Sequence, residues 1–282
     1  MDTARAREAD VPEDLERLAA VLRRYGRLVV AFSGGADSSL LAYVASTTLG
    51  REAVLCATAD SPSLAAEERA EVLELAAEWG LRHVLVETDE LDNPAYVANG
   101  LDRCYHCKRE LLDVLGPLAK AEGARVALGV NLDDLAEHRP GQRAAAERGA
   151  VFPLVEAGLS KAAVRELSRR LSLRTWDKPA AACLASRVPH GTPVTLGVLE
   201  AVGRAESALR RLGFSELRVR HHGECARLEL GPSELERALE LREEIVAGVR
   251  AAGYRFVALD LEGFRSGSLT RAALEAARAR AR

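Results

Sequence analysis

Leu28-Val29-Val30-Ala31-Phe32-Ser33-Gly34-Gly35-Ala36-Asp37-Ser38-Ser39 is the stretch that decides the fold of this chain. An apolar run fit for a buried strand is broken by two glycines, and Leu40, Leu41, Val44 and Ala45 then resume it at helical spacing. The reading is strand, glycine turn, helix. Glycines at such a junction let backbone N–H groups approach an anion at the positive end of the helix, so the stretch points to phosphate. It is not a Walker A loop, because no lysine follows the second glycine and the spacing is shorter. The plain alternative is a tight turn capped by an Asp or Ser. The complete loop after an apolar strand favours a nucleotide.

Outward from this loop, strands and helices alternate. A helix over 12–25, carrying Leu15, Leu18, Ala19, Leu22 and Tyr25, leads into the strand 28–32. Strands at 53–58, 83–87 and 125–129 are interleaved with helices at 64–79 and 108–122. This spacing predicts an α/β fold, a parallel sheet with helices on both faces. A further helix over 161–171 has Ser160 as its N-cap and Arg169 and Arg170 at its end. From Lys178 to Pro193 the periodicity lapses into a proline-bearing loop. Beyond it, a helix at 195–212, strands at 216–221 and 225–230, a helix at 233–250 and a strand at 254–260 read as a small α+β domain. The expected division is therefore 1–180 and 181–282, with a short helix or frayed tail after Thr270.

At 282 residues and 48% apolar, the chain is long enough to build a proper core. A formal net charge of -3 implies no general nucleic-acid or membrane-binding surface. No signal-like N-terminus or membrane-length apolar run is present, so the expectation is a cytoplasmic protein. Five cysteines without a secretory signal argue against a disulfide framework and leave metal ligation or catalysis as the functional options.

Two acidic segments follow later strands, where open α/β sheets place their ligands: Ala59-Asp60-Ser61-Pro62, and Gly129-Val130-Asn131-Leu132-Asp133-Asp134. Either is also an ordinary turn or cap. Cys104-Tyr105-His106-Cys107 lets two thiolates meet one metal or cluster, or form a redox pair. Cys183 stands in the loop from Asp177 to Gly191, close in sequence to Lys178 and Arg187, cations that favour a thiolate. Cys56 and Cys225 lie in apolar strands and read as small core residues. Arg218, Arg220 and His222 share one strand face, which suits a nucleotide phosphate or plain solvent.

The phosphate loop resembles that of the PP-loop ATP pyrophosphatases. With Asp-Arg-Cys-Tyr-His-Cys-Lys at 102–108, Arg139-Pro140-Gly141, the Asp-Lys-Pro…Ala-Cys-Leu-Ala-Ser-Arg loop at 177–187, Arg218-Val219-Arg220-His221-His222 and Gly263-Phe264-Arg265-Ser266-Gly267-Ser268-Leu269, the chain resembles the LarE-type sulfur transferases. These build the nickel-pincer nucleotide cofactor of lactate racemase. The likeness covers about residues 12–270.

The resemblance implies that ATP is cleaved between its α and β phosphates. Ser33, Gly34, Gly35, Ser38 and Ser39 would then cradle pyrophosphate, Asp37 would position Mg²⁺, and Asp60, Gly129, Asn131 and Asp133 or Asp134 would belong to the same nucleotide site. It further implies a small mononucleotide substrate, pyridinium-3,5-dicarboxylate mononucleotide, whose carboxylates are adenylated and become thiocarboxylates. Ser186, Arg187, Arg218, Arg220 and Glu229 would hold it. One branch of the family sacrifices the cysteine equivalent to Cys183, leaving dehydroalanine; another holds a [4Fe–4S] cluster on cysteines matching Cys104, Cys107 and Cys183. All three are present, which favours the cluster, since three thiolates leave one iron open. A structural zinc with His106 or Cys225 as fourth ligand is the alternative. Members often form oligomers, so a homo-oligomer is a further expectation. Competing functions are a PP-loop tRNA thiolase and a non-catalytic adenine-nucleotide sensor.

Overall fold

The structure is a computed structural model that describes residues 12–135, 140–179 and 182–265. Arg139, Ala180, Ala181, Ser266-Gly267-Ser268-Leu269 and the tail after Thr270 lie outside them. In chain order the elements are α1 (Glu13–Tyr25), β1 (Leu28–Ala31), α2 (Ala36–Leu49), β2 (Val54–Asp60), α3 (Ala66–Glu78), β3 (His83–Glu87), α4 (Pro94–Val97), α5 (Arg103–Ala121), β4 (Arg125–Leu128) and α6 (Leu132–Leu135). There follow α7 (Pro140–Glu147), α8 (Pro153–Glu156), α9 (Lys161–Arg170), α10 (Leu196–Arg211), β5 (Leu217–His222), β6 (Cys225–Leu230), α11 (Leu235–Glu240), α12 (Arg242–Ala251) and β7 (Phe256–Leu259).

Two compact units form. The first comprises Met1–Asp60, Ala70–Thr88 and Lys108–Ala181; the second comprises Ser61–Arg69, Asp89–Cys107 and Ala182–Arg282. The segments 61–69 and 89–107 thus lie in the second unit, apart in sequence from the rest of it.

The first unit is built on a parallel sheet in the order β3-β2-β1-β4. Strands β1, β2 and β4 are largely buried because both sides are covered, whereas the edge strand β3 is half-exposed. Leu28, Val30, Val54 and Cys56 meet residues of α1, α2, α3 and α9 in one core, while Val29, Leu55, Ala57 and Val126 meet residues of α5 and α7 in another. The α/β class is therefore as expected. Ser160 caps α9 by accepting from the N–H of Ala163 at 3.2 Å.

In the second unit, β5 and β6 pair antiparallel and β7 joins β6 in parallel. Val202, Ala205 and Leu209 of α10 share a core with Ile245 and Val249 of α12 and with Leu217, Val219 and Leu228 of the sheet.

Two helices differ from expectation. The one predicted from 108 starts at Arg103, because the N–H of Tyr105 already bonds to the Asp102 carbonyl, so the cysteine pair lies in the first turn of α5. The helix predicted over 233–250 breaks at Leu241 (φ -93°, ψ 21°), and α12 restarts with Glu243 and Glu244 in its first turn, where negative charge is favourable. The short helices α4, α6, α7 and α8 carry too few residues for a periodic signal.

Gly129 follows β4 and has no room for a side chain. A Cβ there would come 2.7 Å from the amide nitrogen of Ser38 and 2.9 Å from the carbonyl carbon of Asp37, both backbone atoms at the start of α2. Gly129→Ala should therefore cost about 1–3 kcal/mol, as overpacking does. Gly197→Ala, in the first turn of α10 where a Cβ meets nothing within 4 Å, should be neutral or stabilising by up to about 1 kcal/mol. Thermal melts of the two variants test this, and equal melting temperatures would contradict the close approach at Gly129.

Candidate active site

The phosphate loop is shaped by its own hydroxyls. Ser38 Oγ accepts from the N–H of Ser33 at 3.2 Å, lies 3.0 Å from Ser33 Oγ and donates to the Gly35 carbonyl at 3.2 Å. Gly34 takes φ +69°, a conformation that L side chains rarely adopt, and Gly35 sits at the N-cap of α2. The chain thus reverses tightly enough to direct the first amides of α2 outward, where no intrahelical carbonyl can meet them. Ser39 is wholly buried, and its hydroxyl has no hydrogen-bond partner among the described residues. An orphan donor beside open helix amides fits an anion.

Asp37 is the carboxylate of this loop. Its Oδ1 accepts from Asn131 Nδ2 at 3.0 Å, and its Oδ2 receives Lys161 Nζ at 2.5 Å. Magnesium is commonly bound through one or two carboxylates plus phosphate oxygens and water, so Asp37 with a bound triphosphate is an adequate donor set. Asn131 also organises α6, because its Oδ1 accepts from the N–H of Asp133 at 2.9 Å and of Asp134 at 3.3 Å. The two aspartates serve backbone as well: Asp134 Oδ2 accepts from the N–H of Asn131 at 3.1 Å, and Asp133 Oδ2 from the N–H of Lys161 at 2.6 Å. Asp60 closes β2 beyond the register position that faces Ala31, on the same sheet edge as the loop. Gly129 acts here as a spacer, touching the loop's backbone as described above. Lys161 was not singled out by sequence, although it follows the Ser160 cap directly.

The second unit contains Cys104, Cys107 and Cys183 together. Cys104 and Cys183 are exposed and Cys107 is half-buried, with its sulfur 3.7 Å from Glu90 Oε1. The buried Tyr96 hydroxyl has its pKa raised, first by burial and then by the proximity of Cys183, with Cys107 and Glu90 adding to it. Cys107 and Cys183 therefore both lie within electrostatic reach of one phenol. Yet among the described residues no group of three or more His, Cys, Asp or Glu side chains is gathered as a metal site. A cluster on three thiolates would need these sulfurs gathered together, and among the described residues they are not. Cys56 is a core residue as expected, and burial pushes its thiol up to about 12. Cys225 differs by being only half-buried.

The Cys183 loop is pinned through its backbone. Arg103, next to Cys104, donates to the Ala185 carbonyl at 2.9 Å and to Asn99 Oδ1 at 2.5 Å. Asn99 in turn donates to the carbonyls of Val188, Pro189 and Thr192. Sequence reading missed this pair; the only signal was its adjacency to the cysteine motif. The two cations expected to favour the Cys183 thiolate have other partners. Lys178 Nζ lies 2.7 Å from Glu71 Oε2 in the first unit. Arg187 is fully committed by geometry: it forks onto Glu206 at 2.8 and 2.9 Å and donates to the carbonyls of Ala182 and Cys183 and to Ser186 Oγ.

Arg220 Nη2 lies 2.6 Å from Glu229 Oε2 and its Nη1 donates to the Ser186 carbonyl at 3.0 Å. Arg218 is half-buried over the Phe264 ring, 4.9 Å from its centroid. Burial, with the neighbouring Arg187 charge second, pushes its guanidinium down to about 10. Arg218 and Arg220 are thus less alike than their shared strand face implied, and His222 on that face is exposed. An open, mostly apolar hollow of about 630 Å³ lies against Leu184, Leu199 and Gly203 and holds none of the predicted site residues.

Comparison with known proteins adds the family. No family profile matches the chain. It is 36% identical over 253 residues to the pyridinium-3,5-bisthiocarboxylic acid mononucleotide synthase of Lactiplantibacillus plantarum, covering 89% of this chain and 92% of that protein. The chain belongs to that synthase family. Family membership extends the LarE-type likeness of the motifs to nearly the whole length. It is also 47% identical over 261 residues to the uncharacterized protein slr1717 of Synechocystis, covering 91% of this chain and 97% of that one. The uncharacterized protein MJ0830 of Methanocaldococcus jannaschii is 26% identical over 85% of this chain and 91% of its own length. No helix among the described residues is long and apolar enough to cross a membrane.

Glu206 is the linchpin of the arginine cluster, wholly buried and bonded to Arg187, Arg210 and the N–H of Val219. Burial opposes its ionisation, yet the hydrogen bonds and charge of Arg187 prevail and hold its carboxyl below the usual range. A depressed folded-state pKa contributes stability above the unfolded value, near 4.3, that is lost as pH falls through the folded value. Glu206→Gln should cost about 3–5 kcal/mol at neutral pH by stranding buried cations. The gap between wild type and variant should narrow below about pH 4. Urea melts across pH check both, and a gap that widens in acid would refute the assignment.

Proposed function

We propose that this chain is a cytoplasmic, ATP-dependent sulfur transferase that adenylates the carboxylates of pyridinium-3,5-dicarboxylate mononucleotide and converts them to thiocarboxylates. The observation that carries the reading is the phosphate loop with Asp37 at its mouth in a chain whose second unit holds three cysteines and an arginine cluster. The synthase from Lactiplantibacillus plantarum, by its name, makes the corresponding bisthiocarboxylic acid.

In this reading Ser33, Gly34, Gly35, Ser38 and Ser39 take the pyrophosphate portion of ATP on backbone amides and hydroxyls. Asn131 orients Asp37, the residue that would hold Mg²⁺; a bound magnesium neutralises phosphate charge there. A substrate carboxylate oxygen attacks the α-phosphorus, the α–β phosphoanhydride bond breaks, and pyrophosphate leaves. The acyl-adenylate then loses AMP as a sulfur nucleophile forms the C–S bond. Arg218 and Arg220 suit the nucleotide's phosphate as charge-assisted donors. Arg187 and Glu229 act from behind, Arg187 by shaping the Cys183 turn and Glu229 by fixing Arg220.

For the sulfur, Cys104, Cys107 and Cys183 would hold a [4Fe–4S] cluster, which when bound supplies an open iron for a transferable sulfide. What supports this is the presence of all three thiols in one unit, two of them near Tyr96. Wild-type protein should release pyrophosphate when given ATP, Mg²⁺ and the dicarboxylate nucleotide, and Asp37→Asn should release almost none. Anaerobic wild type should carry iron and sulfide, and each of Cys104→Ala, Cys107→Ala and Cys183→Ala should lose the visible cluster absorption. A protein that instead delivers one sulfur and shows dehydroalanine at residue 183 by intact mass would overturn the cluster while leaving adenylation standing.

A further inference from the structure

The phosphate loop contains no cation of its own, yet two lysines remote in sequence stand against it within the first unit. Lys161 opens α9, and its Nζ lies 2.5 Å from Asp37 Oδ2. Lys178 comes after α9, with its Nζ 2.7 Å from Glu71 Oε2. A Cβ added to Gly34, the residue at the tip of the loop's turn, would be 3.9 Å from that same Nζ. Lys178 is largely enclosed, its side chain 14% exposed.

Enclosing an ammonium is costly, and pairing it with one carboxylate returns little net stability. Beside a loop whose amides already suit an anion, the same ammonium has a second use. We infer that Lys161 and Lys178 form a two-lysine clamp for the pyrophosphate half of ATP, supplying from outside the loop the charge that a Walker-type loop carries within it. The inference rests on the ATP reading above and deepens it.

In the ligand-free chain each lysine rests on a carboxylate, Lys161 on Asp37 and Lys178 on Glu71. A polyphosphate offers oxygens of higher charge, and the flexible lysine stems let each Nζ exchange a carboxylate oxygen for a phosphate oxygen. Lys161 then leaves Asp37 free of its ammonium as the nucleotide arrives. When the α–β bond breaks, negative charge gathers on the departing pyrophosphate, so cations beside the loop favour cleavage at that bond. AMP lacks the β- and γ-phosphates that the clamp would hold and should not depend on it.

The test titrates inorganic pyrophosphate, ATP and AMP into wild type, Lys161→Gln, Lys178→Gln and the double variant by calorimetry, with EDTA present to remove any metal at Asp37. Circular dichroism verifies folding, and Lys161→Arg and Lys178→Arg retain the charge. Each glutamine substitution should weaken pyrophosphate and ATP about tenfold or more while AMP changes by less than about twofold, and the arginine variants should recover most of the loss. Unchanged pyrophosphate binding in the double variant would overturn the clamp and leave the lysines as structural ion pairs. Equal losses for AMP and ATP, or arginine variants no better than glutamine, would overturn it too. Wild type that binds neither ATP nor pyrophosphate would refute the ATP reading itself.

Discussion

The backbone of Gly129 meets the backbone of Asp37 and Ser38, and the chemistry of the first unit depends on that approach. It brings the end of β4 against the N-terminus of α2, so Asn131, two residues on, reaches Asp37 from a fixed direction. The Asn131 carbonyl oxygen of the side chain then starts α6, and Leu132 bonds to the Leu159 carbonyl next to the Ser160 cap. From that cap Lys161 returns to Asp37. A closed circuit of contacts thus fixes one carboxylate, and a shift of a few tenths of an ångström at residue 129 would be felt by every member. Packed interiors transmit small displacements in this way because they have little free space.

The second unit solves a different problem, how to crowd guanidinium groups without losing stability. Glu206 and Glu229 are buried among Arg187, Arg210, Arg220 and Arg227, each carboxylate bonded to two of them. Arg218 lies near the same charges but bonds to its neighbour's carbonyl and rests on an aromatic ring. Its lowered pKa expresses the remaining repulsion along with burial. In the proposed reading, a phosphate arriving there would relieve it.

Much of the first unit was legible because its signals are local. The apolar strand, the glycine pair and the serine cap each act over a few residues, and β1 and α9 came out close to their expected bounds. What could not be read was long-range pairing. Lys178 sits five residues from Cys183, so sequence suggested that it acts on the thiol, but its ammonium pairs with Glu71 within the first unit. Arg103 and Asn99 were passed over because a side chain that binds distant carbonyls leaves no periodicity. The close approach of Gly129 to the Asp37–Ser38 backbone is likewise a long-range packing that only folded coordinates reveal. The interleaving of 61–69 and 89–107 with 182–265 has the same origin, since compactness is a property of contacts and not of chain order.

The treatment of Cys183 shows what the surrounding residues accomplish. Its own carbonyl and that of Ala182 accept from Arg187, the carbonyl of Ala185 accepts from Arg103, and that of Ser186 accepts from Arg220 and the N–H of Leu184 donates to Ser63. These anchors all grip backbone. Holding the peptide rather than the sulfur fixes where Cβ points while leaving the thiol exposed. Arg187 Nη1, which meets the carbonyls of Ala182 and Cys183, would have to leave them to bond the thiolate directly. A loop built this way positions the thiol through its frame: Arg187 acts on it through the backbone carbonyls it holds, while Lys178 pairs with Glu71.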